Sequence, residues 1–340
     1  MKNILVTGGA GFIGSAFVRH MVKAYPDYRI IVFDKLTYAG NLDNLLTVKD
    51  APNYAFVQGD IADAEAVRAT LEAHGVDTIV NFAAESHVDR SILDPDAFIR
   101  TDVYGVYTLL EQGRLHGIGR FLQVSTDEVY GDVHQGFSVE SDAFLPNSPY
   151  AASKASGELM VRSYHVTYGM DTVVTRGSNT YGVYHYPEKL IPLFITEAMD
   201  DRPLPVYGDG MQIRDWLYVD DHARGVDVVL HHGIAGEAYN IAGEDLRHNI
   251  DVVRLLLQLL DKPETLIKYV PDRPGHDRRY AMNADKARAL GWVRQMTFEE
   301  GLKHTVAWYR ENAWWWRKIK TGEYLEYYRK QYEQRLASAK

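Results

Sequence analysis

Short apolar runs alternate with helix-period stretches through the first half of the chain. The apolar runs, which predict buried strands, cover residues 3–7, 29–33, 54–57, 78–82, 121–125 and 172–176. The stretches with helical periodicity cover residues 12–22, 64–74, 95–116 and 150–168. This alternation is typical of a parallel sheet covered by helices, whose ligands bind at the carboxyl ends of the strands. It predicts an α/β fold with a doubly wound, Rossmann-type parallel sheet.

A glycine-rich turn follows the first predicted strand directly. Gly8, Gly11 and Gly14 have the spacing G-x-x-G-x-x-G, which permits a tight turn and close approach of a pyrophosphate to backbone N–H groups. Asp34 ends the second predicted strand, where a carboxylate binds the adenosine ribose diol and repels a 2′-phosphate. The pattern predicts NAD as the cofactor.

Tyr150 and Lys154 lie one helical turn apart in a predicted helix. Because they share a helix face, we expect the ammonium to lower the pKa of the phenol and make it a base for oxidising an alcohol. Thr126, Asp127 and Glu128 end the fifth predicted strand. Two carboxyl groups held close have divergent pKa values, so one can accept a proton while the other donates one. The set predicts oxidation coupled to elimination.

From about residue 181 onward, the regular alternation of predicted strands and helices ends. Proline and glycine concentrate at 202–210 and 271–276, which predicts loops between short helices, whereas 239–242 predicts a further strand. We therefore expect a smaller, mainly C-terminal substrate-binding domain. The predicted divisions are an NAD-binding domain over 1–182 and 213–243, a substrate domain over 183–212 and 244–320, and a C-terminal helix or tail over 321–340.

Composition narrows the function classes. The chain has 340 residues, 46% of them hydrophobic, and a net charge of −9 with scattered basic residues, which argues against nucleic acid as a partner. It has no cysteine, and its 13 histidines show no H-x-H or H-E-x-x-H pattern, so no metal site is predicted. No apolar run approaches the length of a membrane span, and no N-terminal signal is evident. We expect a cytoplasmic enzyme without a membrane partner.

Several longer segments carry a family resemblance across nearly the whole chain. These segments are residues 6–14, 34–42, 59–61, 83–91, 125–131, 150–154, 187–192, 214–216 and 273–280. The glycine-rich turn and the Tyr150/Lys154 pair resemble the extended short-chain dehydrogenases/reductases. The Thr126-Asp127-Glu128 segment and the later loops resemble, within that superfamily, the dTDP-glucose 4,6-dehydratase family.

The resemblance implies an NAD-dependent hydro-lyase that converts dTDP-glucose to dTDP-4-keto-6-deoxyglucose and water. Tyr150, helped by Thr126, would take the proton from the C4 hydroxyl, and Lys154 would hold the cofactor ribose. Glu128 would then remove the C5 proton, while Asp127 would protonate the departing C6 hydroxyl. Return of the hydride to C6 would regenerate NAD.

The resemblance also implies two sets of binding residues. Those for the cofactor are Gly8, Gly11, Phe12, Ile13, Gly14, Asp34, Lys35, Leu36, Thr37, Asp60, Ile61, Ala83, Ala84, Thr101, Tyr150 and Lys154. Those for the sugar nucleotide are Ser86, Thr126, Asn179, Lys189, Leu190, Pro205, Tyr207, Arg214, Asn249, Arg273 and His276. Among them Lys189, Arg214 and Arg273 are the expected partners of the diphosphate, since a guanidinium offers paired donors. The family likeness further implies a homodimer through helices at 97–115 and 155–168.

Three positions depart from the family pattern Arg-Cys-Ser-Asn-Asn-Tyr-Gly-Pro, one of them being Val183 in place of the proline. Gly177 stands in place of the cysteine, and Thr180 replaces an asparagine expected near the nicotinamide. None belongs to the predicted catalytic set. Gly177 leaves the strand end less filled.

Three alternatives remain open at this point. A UDP-sugar 4-epimerase shares the fold, NAD and the Tyr150/Lys154 pair, but it has no need of an acid/base pair for water loss. Another 4,6-dehydratase, for GDP-mannose or CDP-glucose, would differ at Thr126-Asp127-Glu128 and in the loop at 205–207. A non-catalytic dinucleotide-sensing protein would have no reason to carry Tyr150, Lys154 and both carboxylates together.

Overall fold

The structure is a computed structural model that describes residues 1–337. Its strands are β1 Asn3–Thr7, β2 Arg29–Asp34, β3 Tyr54–Gln58, β4 Thr78–Asn81, β5 Arg120–Thr126, β6 Thr172–Gly177, β7 Asn179–Tyr181, β8 Leu204–Tyr207, β9 Ile213–Tyr218, β10 Ala238–Ile241, β11 Leu246–His248 and β12 Ile267–Val270. Its helices are α1 Phe12–Ala24, α2 Ala64–His74, α3 Val88–Leu93, α4 Pro95–Phe98, α5 Val106–His116, α6 Pro149–Tyr168, α7 Leu190–Met199, α8 Val219–His232, α9 Asn249–Leu260, α10 Asp285–Ala289, α11 Phe298–Glu311, α12 Ala313–Ile319, α13 Gly322–Tyr328 and α14 Gln334–Ala337.

The main sheet has seven parallel strands in the order β10-β6-β5-β4-β1-β2-β3. Successive side chains of a strand point to opposite faces, and the core divides accordingly. Ile4 and Val6 of β1 pack with α1 and α8, whereas Leu5 packs with α2, α5 and α6 on the other face. The predicted doubly wound α/β fold is confirmed. None of the helices within residues 1–337 is long and apolar enough to span a membrane.

Two small sheets, β11-β9-β7 and β12-β8, lie in the second half of the chain. The prediction of a loop through 202–210 was wrong, because Leu204–Tyr207 forms β8 and pairs in parallel with Ile267–Val270. Proline lacks an N–H donor but is tolerated at a sheet edge, and both strands of a two-stranded sheet are edges. Pro205 therefore does not prevent the strand.

The two halves of the chain share one apolar core. Side chains of α7, α9 and α11 belong to the same buried cluster as α1 and α8. The seventh strand of the main sheet, β10, comes from residues 238–241, whereas β9 at 213–218 belongs to a small sheet. The division at 182, 213 and 243 stays a prediction. Of the tail assigned to 321–340, residues 338–340 lie outside the described residues.

Buried polar contacts fix α6 on the sheet. Lys154 Nζ donates to the Val124 carbonyl of β5 at 2.8 Å. Arg176 of β6 pairs with Glu158 of α6 at 2.8 Å, and both side chains are buried. Since removing one partner of a buried ion pair is strongly destabilising, this pair holds α6 in one position against β6.

The aromatic C-terminal stretch packs on the body of the protein. Trp315 and Trp316 are buried, and Trp315 Nε1 donates to Asn44 Oδ1 at 2.9 Å. Trp314 is half exposed.

Candidate active site

One cavity opens where β1, β4, β5 and β6 end, and it extends between the main sheet and the small sheets. Every residue that the sequence predicted for the site lines it except Leu36. The elements of the first half bring the predicted cofactor residues together, and β8, β9, α7 and α9 bring the predicted substrate residues to the same space. Their binding roles remain proposals.

The glycine-rich turn is closely packed. Gly8 has a φ of +65°, and a Cβ there would lie 2.5 Å from the Ala83 backbone N. A Cβ on Gly14 would lie 2.2 Å from the Gly8 carbonyl oxygen. Only glycine satisfies both positions, and the bare turn before α1 leaves backbone N–H groups open to an anion.

Asp34 faces the cavity from the end of β2. Its Oδ2 accepts from the Ala10 N–H at 2.9 Å and its Oδ1 accepts from the Leu36 N–H at 2.8 Å. Each oxygen retains a further lone pair, which suits a pair of ribose hydroxyls. Leu36 itself does not line the cavity, because its backbone has a φ of +57° and turns its N–H to Asp34. Its effect on a ligand is therefore indirect.

The Thr126 hydroxyl connects the predicted catalytic groups. Its Oγ1 donates to Asp127 Oδ1 at 3.0 Å and accepts from the backbone N–H of Glu128 at 3.3 Å. The Tyr150 phenol lies close enough to the Thr126 side chain for that hydroxyl to lower the pKa of the phenol. The turn after β5 thus holds two carboxyl groups and a phenol around one hydroxyl.

The two carboxyl groups differ in what surrounds them. Burial raises the pKa of Asp127 well above its ordinary value, and the charge of Glu128 raises it further. Burial also raises the pKa of the second carboxyl, but three cations oppose this shift: Arg273, Lys189 and Arg214. Asp127 is therefore the group that retains a proton, and Glu128 is the one that ionises first. This is the division of labour that an elimination requires.

The phenol does not behave as the sequence predicted. Burial raises the pKa of Tyr150 well above its ordinary value, and Glu128 raises it further. The Lys154 ammonium, which we expected to lower this pKa, is itself buried and donates to a main-chain carbonyl. The Tyr150/Lys154 pair alone does not make the phenol acidic; further positive charge beside the ring would do so.

The three cations are held in place by the protein. Arg214 donates to two backbone carbonyls at 2.8 and 3.0 Å, and Lys189 Nζ donates to the Ser86 carbonyl at 2.5 Å. Arg273 Nε lies 3.3 Å from Asp89 Oδ1. The group can meet a diphosphate without first being ordered.

The second half of the chain closes the far end of the cavity. Pro205 and Tyr207 come from β8, Asn249 begins α9, and His276 follows β12. Tyr207 stacks near Tyr332, with ring centroids 6.2 Å apart. This end offers the flat and polar surfaces that a nucleoside base needs.

Several buried polar atoms of the cavity have no hydrogen-bond partner within residues 1–337. They are Ser125 Oγ, Asp127 Oδ2, Asn179 Oδ1, His185 Nδ1, Gln212 Oε1, Trp216 Nε1, His222 Nε2, Asn249 Oδ1 and Arg273 Nη1. Unpaired buried polar atoms are costly and few in native proteins. Their concentration here indicates a site built for a large polar ligand. Among the described residues, no group of three His, Cys, Asp or Glu side chains could hold a metal ion.

Sequence reasoning missed several residues of this region. His185 stacks on Phe12 with ring centroids 4.0 Å apart, and His222 lines the cavity behind β6. Asp102, in a π-helical segment between α4 and α5, accepts from Ser153 Oγ at 2.7 Å. Asp102 and His222 lie in helical segments whose sequence pattern is that of ordinary packing, and His185 lies in a loop, so no local signal marked any of them.

Comparisons with known proteins bear on the same site. The family model described as GDP-mannose 4,6 dehydratase matches residues 5–305. A dTDP-glucose 4,6-dehydratase of Shigella flexneri is 49% identical, with 98% of this chain and 99% of that protein covered. The chain belongs to the dTDP-glucose 4,6-dehydratase family.

Solved structures agree with this family membership. DesIV, a dTDP-glucose 4,6-dehydratase from Streptomyces venezuelae solved with NAD bound, is 50% identical, with a TM-score of 0.91 over 94% of this chain and 100% of that one. A UDP-glucose 4-epimerase from Thermotoga maritima, solved with UDP-glucose, is 30% identical, with a TM-score of 0.85 over 92% of this chain and 99% of that one. The fold extends to epimerases, so the fold alone does not decide the reaction.

We predict that Asp102 makes stability depend on pH. Burial raises its pKa from 3.8 to about 7, with Lys154 opposing. Between these values the folded chain binds a proton that the unfolded chain has lost, so this group's contribution to stability falls as pH rises. Asp102→Asn cannot titrate. The free energy of unfolding of wild type relative to Asp102→Asn should therefore fall from pH 4 to 7 and level off above.

Urea unfolding across this range measures the difference. Asp50→Asn serves as the control, because the Asp50 side chain is 88% exposed. A difference between wild type and Asp102→Asn that does not change with pH would contradict the prediction.

Proposed function

We propose that this family member converts dTDP-glucose to dTDP-4-keto-6-deoxyglucose and water. The observation that carries the proposal is the group at the end of β5, where the Thr126 hydroxyl bonds to the Asp127 carboxyl and to the backbone N–H of Glu128, with the Tyr150 phenol close by. The similar proteins named dTDP-glucose 4,6-dehydratase support the choice of substrate.

NAD is the cofactor of the proposed reaction, and when bound it supplies the hydride acceptor for C4 and the hydride donor for C6. The residues present suit it. The glycines at 8, 11 and 14 carry no side chain that would keep a pyrophosphate from the backbone N–H groups of the turn, and Asp34 has free lone pairs for a ribose diol. Structures of similar dehydratases with NAD bound support this assignment.

The protein side of the chemistry follows from the contacts. Tyr150 is the base that takes the C4 hydroxyl proton, acting as a phenolate that positive charge beside the ring must stabilise, and Thr126 orients the phenol. Glu128 removes the C5 proton, since the nearby cations favour its ionised form. Asp127 protonates the departing C6 hydroxyl, since burial keeps a proton on it. Lys154 is proposed to hold the cofactor ribose.

Substrate binding is proposed for the opposite wall of the cavity. Lys189, Arg214 and Arg273 would hold the diphosphate, because they lie close enough to Glu128 to affect its pKa and so form one cationic group. The remaining members of the proposed substrate set are Ser86, Asn179, Leu190, Pro205, Tyr207, Asn249 and His276.

The main competing activity is that of a UDP-sugar 4-epimerase, which the fold also permits. Epimerisation moves a hydride at C4 and needs no group to protonate a leaving hydroxyl. The buried Asp127, with its raised pKa and an oxygen that has no partner among the described residues, has no role in such a reaction. It has one in water loss.

A panel of nucleotide sugars tests the reaction. We expect dTDP-glucose to yield a product lighter by one water molecule, with NAD bound during purification and no cofactor added. Mass spectrometry follows dTDP-glucose, UDP-glucose, GDP-mannose and CDP-glucose in parallel. A product of unchanged mass with inverted C4 would establish epimerisation, and water loss from another nucleotide sugar alone would reassign the substrate.

Three variants should stop at different stages. Tyr150→Phe should show little reduction of bound NAD when dTDP-glucose is added, because the base for oxidation is missing. Asp127→Asn retains oxidation but cannot donate a carboxyl proton, so absorbance of the reduced cofactor should build up while turnover falls by ~10²–10⁴. Glu128→Gln should lose exchange of the C5 proton with solvent deuterium.

Stopped-flow absorbance of the reduced cofactor and incorporation of solvent deuterium at C5 distinguish these stages. Glu65→Gln, on the exposed surface of α2, is the control for a lost carboxylate far from the cavity. Wild-type turnover in both Asp127→Asn and Glu128→Gln would rule out the elimination mechanism.

We also propose a homodimer formed through α5 and α6. Apolar side chains on and before these helices are exposed: Ile99, Tyr104, Tyr107, Leu115, Leu159, Val166 and Tyr168. Pairing these helices across a two-fold axis would bury this surface in a four-helix arrangement. Sedimentation at micromolar concentration should give the mass of two chains, and Leu159→Lys should shift it to one; a single-chain mass for wild type would contradict the proposal.

A cytoplasmic location is proposed on the chemistry of the reaction. The proposed reaction consumes a nucleoside diphosphate sugar and recycles NAD, so the enzyme must work in a compartment that holds both. We propose that this compartment is the cytoplasm.

A further inference from the structure

A histidine of α8 occupies the space that a side chain at position 177 would fill. His222 is 1% exposed, and a Cβ on Gly177 would lie 2.3 Å from its Cε1 and 2.7 Å from its Nε2. Ring atoms cannot approach a real Cβ so closely, so any larger residue at 177 would displace the imidazole. The missing side chain is therefore what admits the ring.

This ring lies beside the reacting end of the cavity. Gly177 is the last residue of β6, and its register partner in β5 is Thr126. Gly177, Thr180 and His222 all line the cavity. The imidazole edge that faces Gly177 is thus one strand away from the hydroxyl that joins the catalytic groups.

The hydrogen bonds of Thr180 determine the tautomer of this histidine. Thr180 Oγ1 lies 3.0 Å from the Ser178 carbonyl and 2.7 Å from His222 Nδ1. The hydroxyl has one hydrogen, which the geometry assigns to the Ser178 carbonyl. With that assignment, the hydroxyl accepts from Nδ1–H. Nε2 therefore carries a lone pair. Burial lowers the pKa of His222 to about 4, so the ring is neutral at ordinary pH.

The lone pair on Nε2 has nothing to accept from in the protein. This nitrogen is buried and has no hydrogen-bond partner among residues 1–337. A buried acceptor without a donor costs free energy that a ligand with a well-placed N–H recovers. A neutral hydrogen-bond donor on a ligand would satisfy this nitrogen.

We propose that His222 Nε2 accepts a hydrogen bond from the carboxamide N–H of the bound nicotinamide. The inference rests on the proposed NAD-dependent function, since oxidation at C4 requires the nicotinamide ring beside Tyr150 and Thr126. At that end of NAD the carboxamide is the group that offers N–H donors. A neutral acceptor suits it, because the carboxamide N–H carries no charge to be balanced.

Two of the departures from the family pattern, Gly177 and Thr180, then have one joint explanation. Gly177 gives the ring its place, and Thr180 holds the proton on Nδ1 and so leaves the lone pair on Nε2. His222 becomes a cofactor-positioning residue that does not touch the sugar.

A cofactor analogue isolates this hydrogen bond. In 3-acetylpyridine adenine dinucleotide a methyl group replaces the amide NH₂, so the analogue retains the ring and carbonyl but has no donor. Wild-type protein freed of bound nucleotide should bind NAD about five- to tenfold more tightly than the analogue, the ratio for one buried hydrogen bond. Calorimetry gives both dissociation constants without any turnover.

Three variants should reduce this ratio towards one. Gly177→Ala displaces the ring, His222→Phe retains a ring without an acceptor, and Thr180→Val no longer fixes the tautomer. Gly119→Ala is the matched control, since a Cβ there meets nothing closer than 3.5 Å and its φ is not positive. It should retain the wild-type ratio.

Nitrogen-15 NMR of His222 supplies a second measurement. The wild-type spectrum should show a protonated Nδ1 and an unprotonated Nε2, and the Nε2 resonance should shift with NAD but not with the analogue. Equal preference for NAD in wild type and all three variants, or a protonated Nε2, would overturn the inference. Failure of wild type to bind NAD at all would instead contradict the proposed function.

Discussion

The Thr126 hydroxyl is the contact on which the arrangement of the site depends. It stands at the last position of a buried parallel strand, where the chain must leave the sheet. It bonds to the Asp127 carboxyl and to the backbone N–H of Glu128, and it lies close enough to the Tyr150 phenol to affect its pKa. The phenol reaches it because Lys154 and Glu158 attach α6 to β5 and β6. Without that attachment the groups would belong to separate elements with no fixed distance between them.

The first half of the fold and most of the site could be predicted because their signals are local. A glycine that must approach another backbone, as Gly8 approaches Ala83, leaves a spacing that can be read along the chain. Asp34 follows its strand for an equally local reason. The family resemblance supplied the cationic group and the nucleoside end, whose members are far apart in sequence and share no periodic pattern.

The features that could not be predicted depend on contacts between distant segments. Pro205 reads as a loop until its partner strand at 267–270 is known. The raised pKa of Tyr150 arises from burial and from Glu128, which a helical spacing to Lys154 does not report. His222 could be recognised only once Gly177 and Thr180 were placed against it. In the sequence, a lone histidine in an amphipathic helix cannot be distinguished from one that is buried for packing alone.

The position of β10 has a consequence for how the chain folds during synthesis. Strand β6 forms early in the sequence, but its outer neighbour, Ala238–Ile241, is reached only after the chain has passed through β7, α7, β8, β9 and α8. Until Ile241 has left the ribosome, β6 presents an unpaired edge next to the turn that follows β5, and unpaired edges invite non-native pairing. The β6 edge is therefore the last edge of the main sheet to gain its neighbouring strand. A chain interrupted before residue 241 would leave that edge exposed.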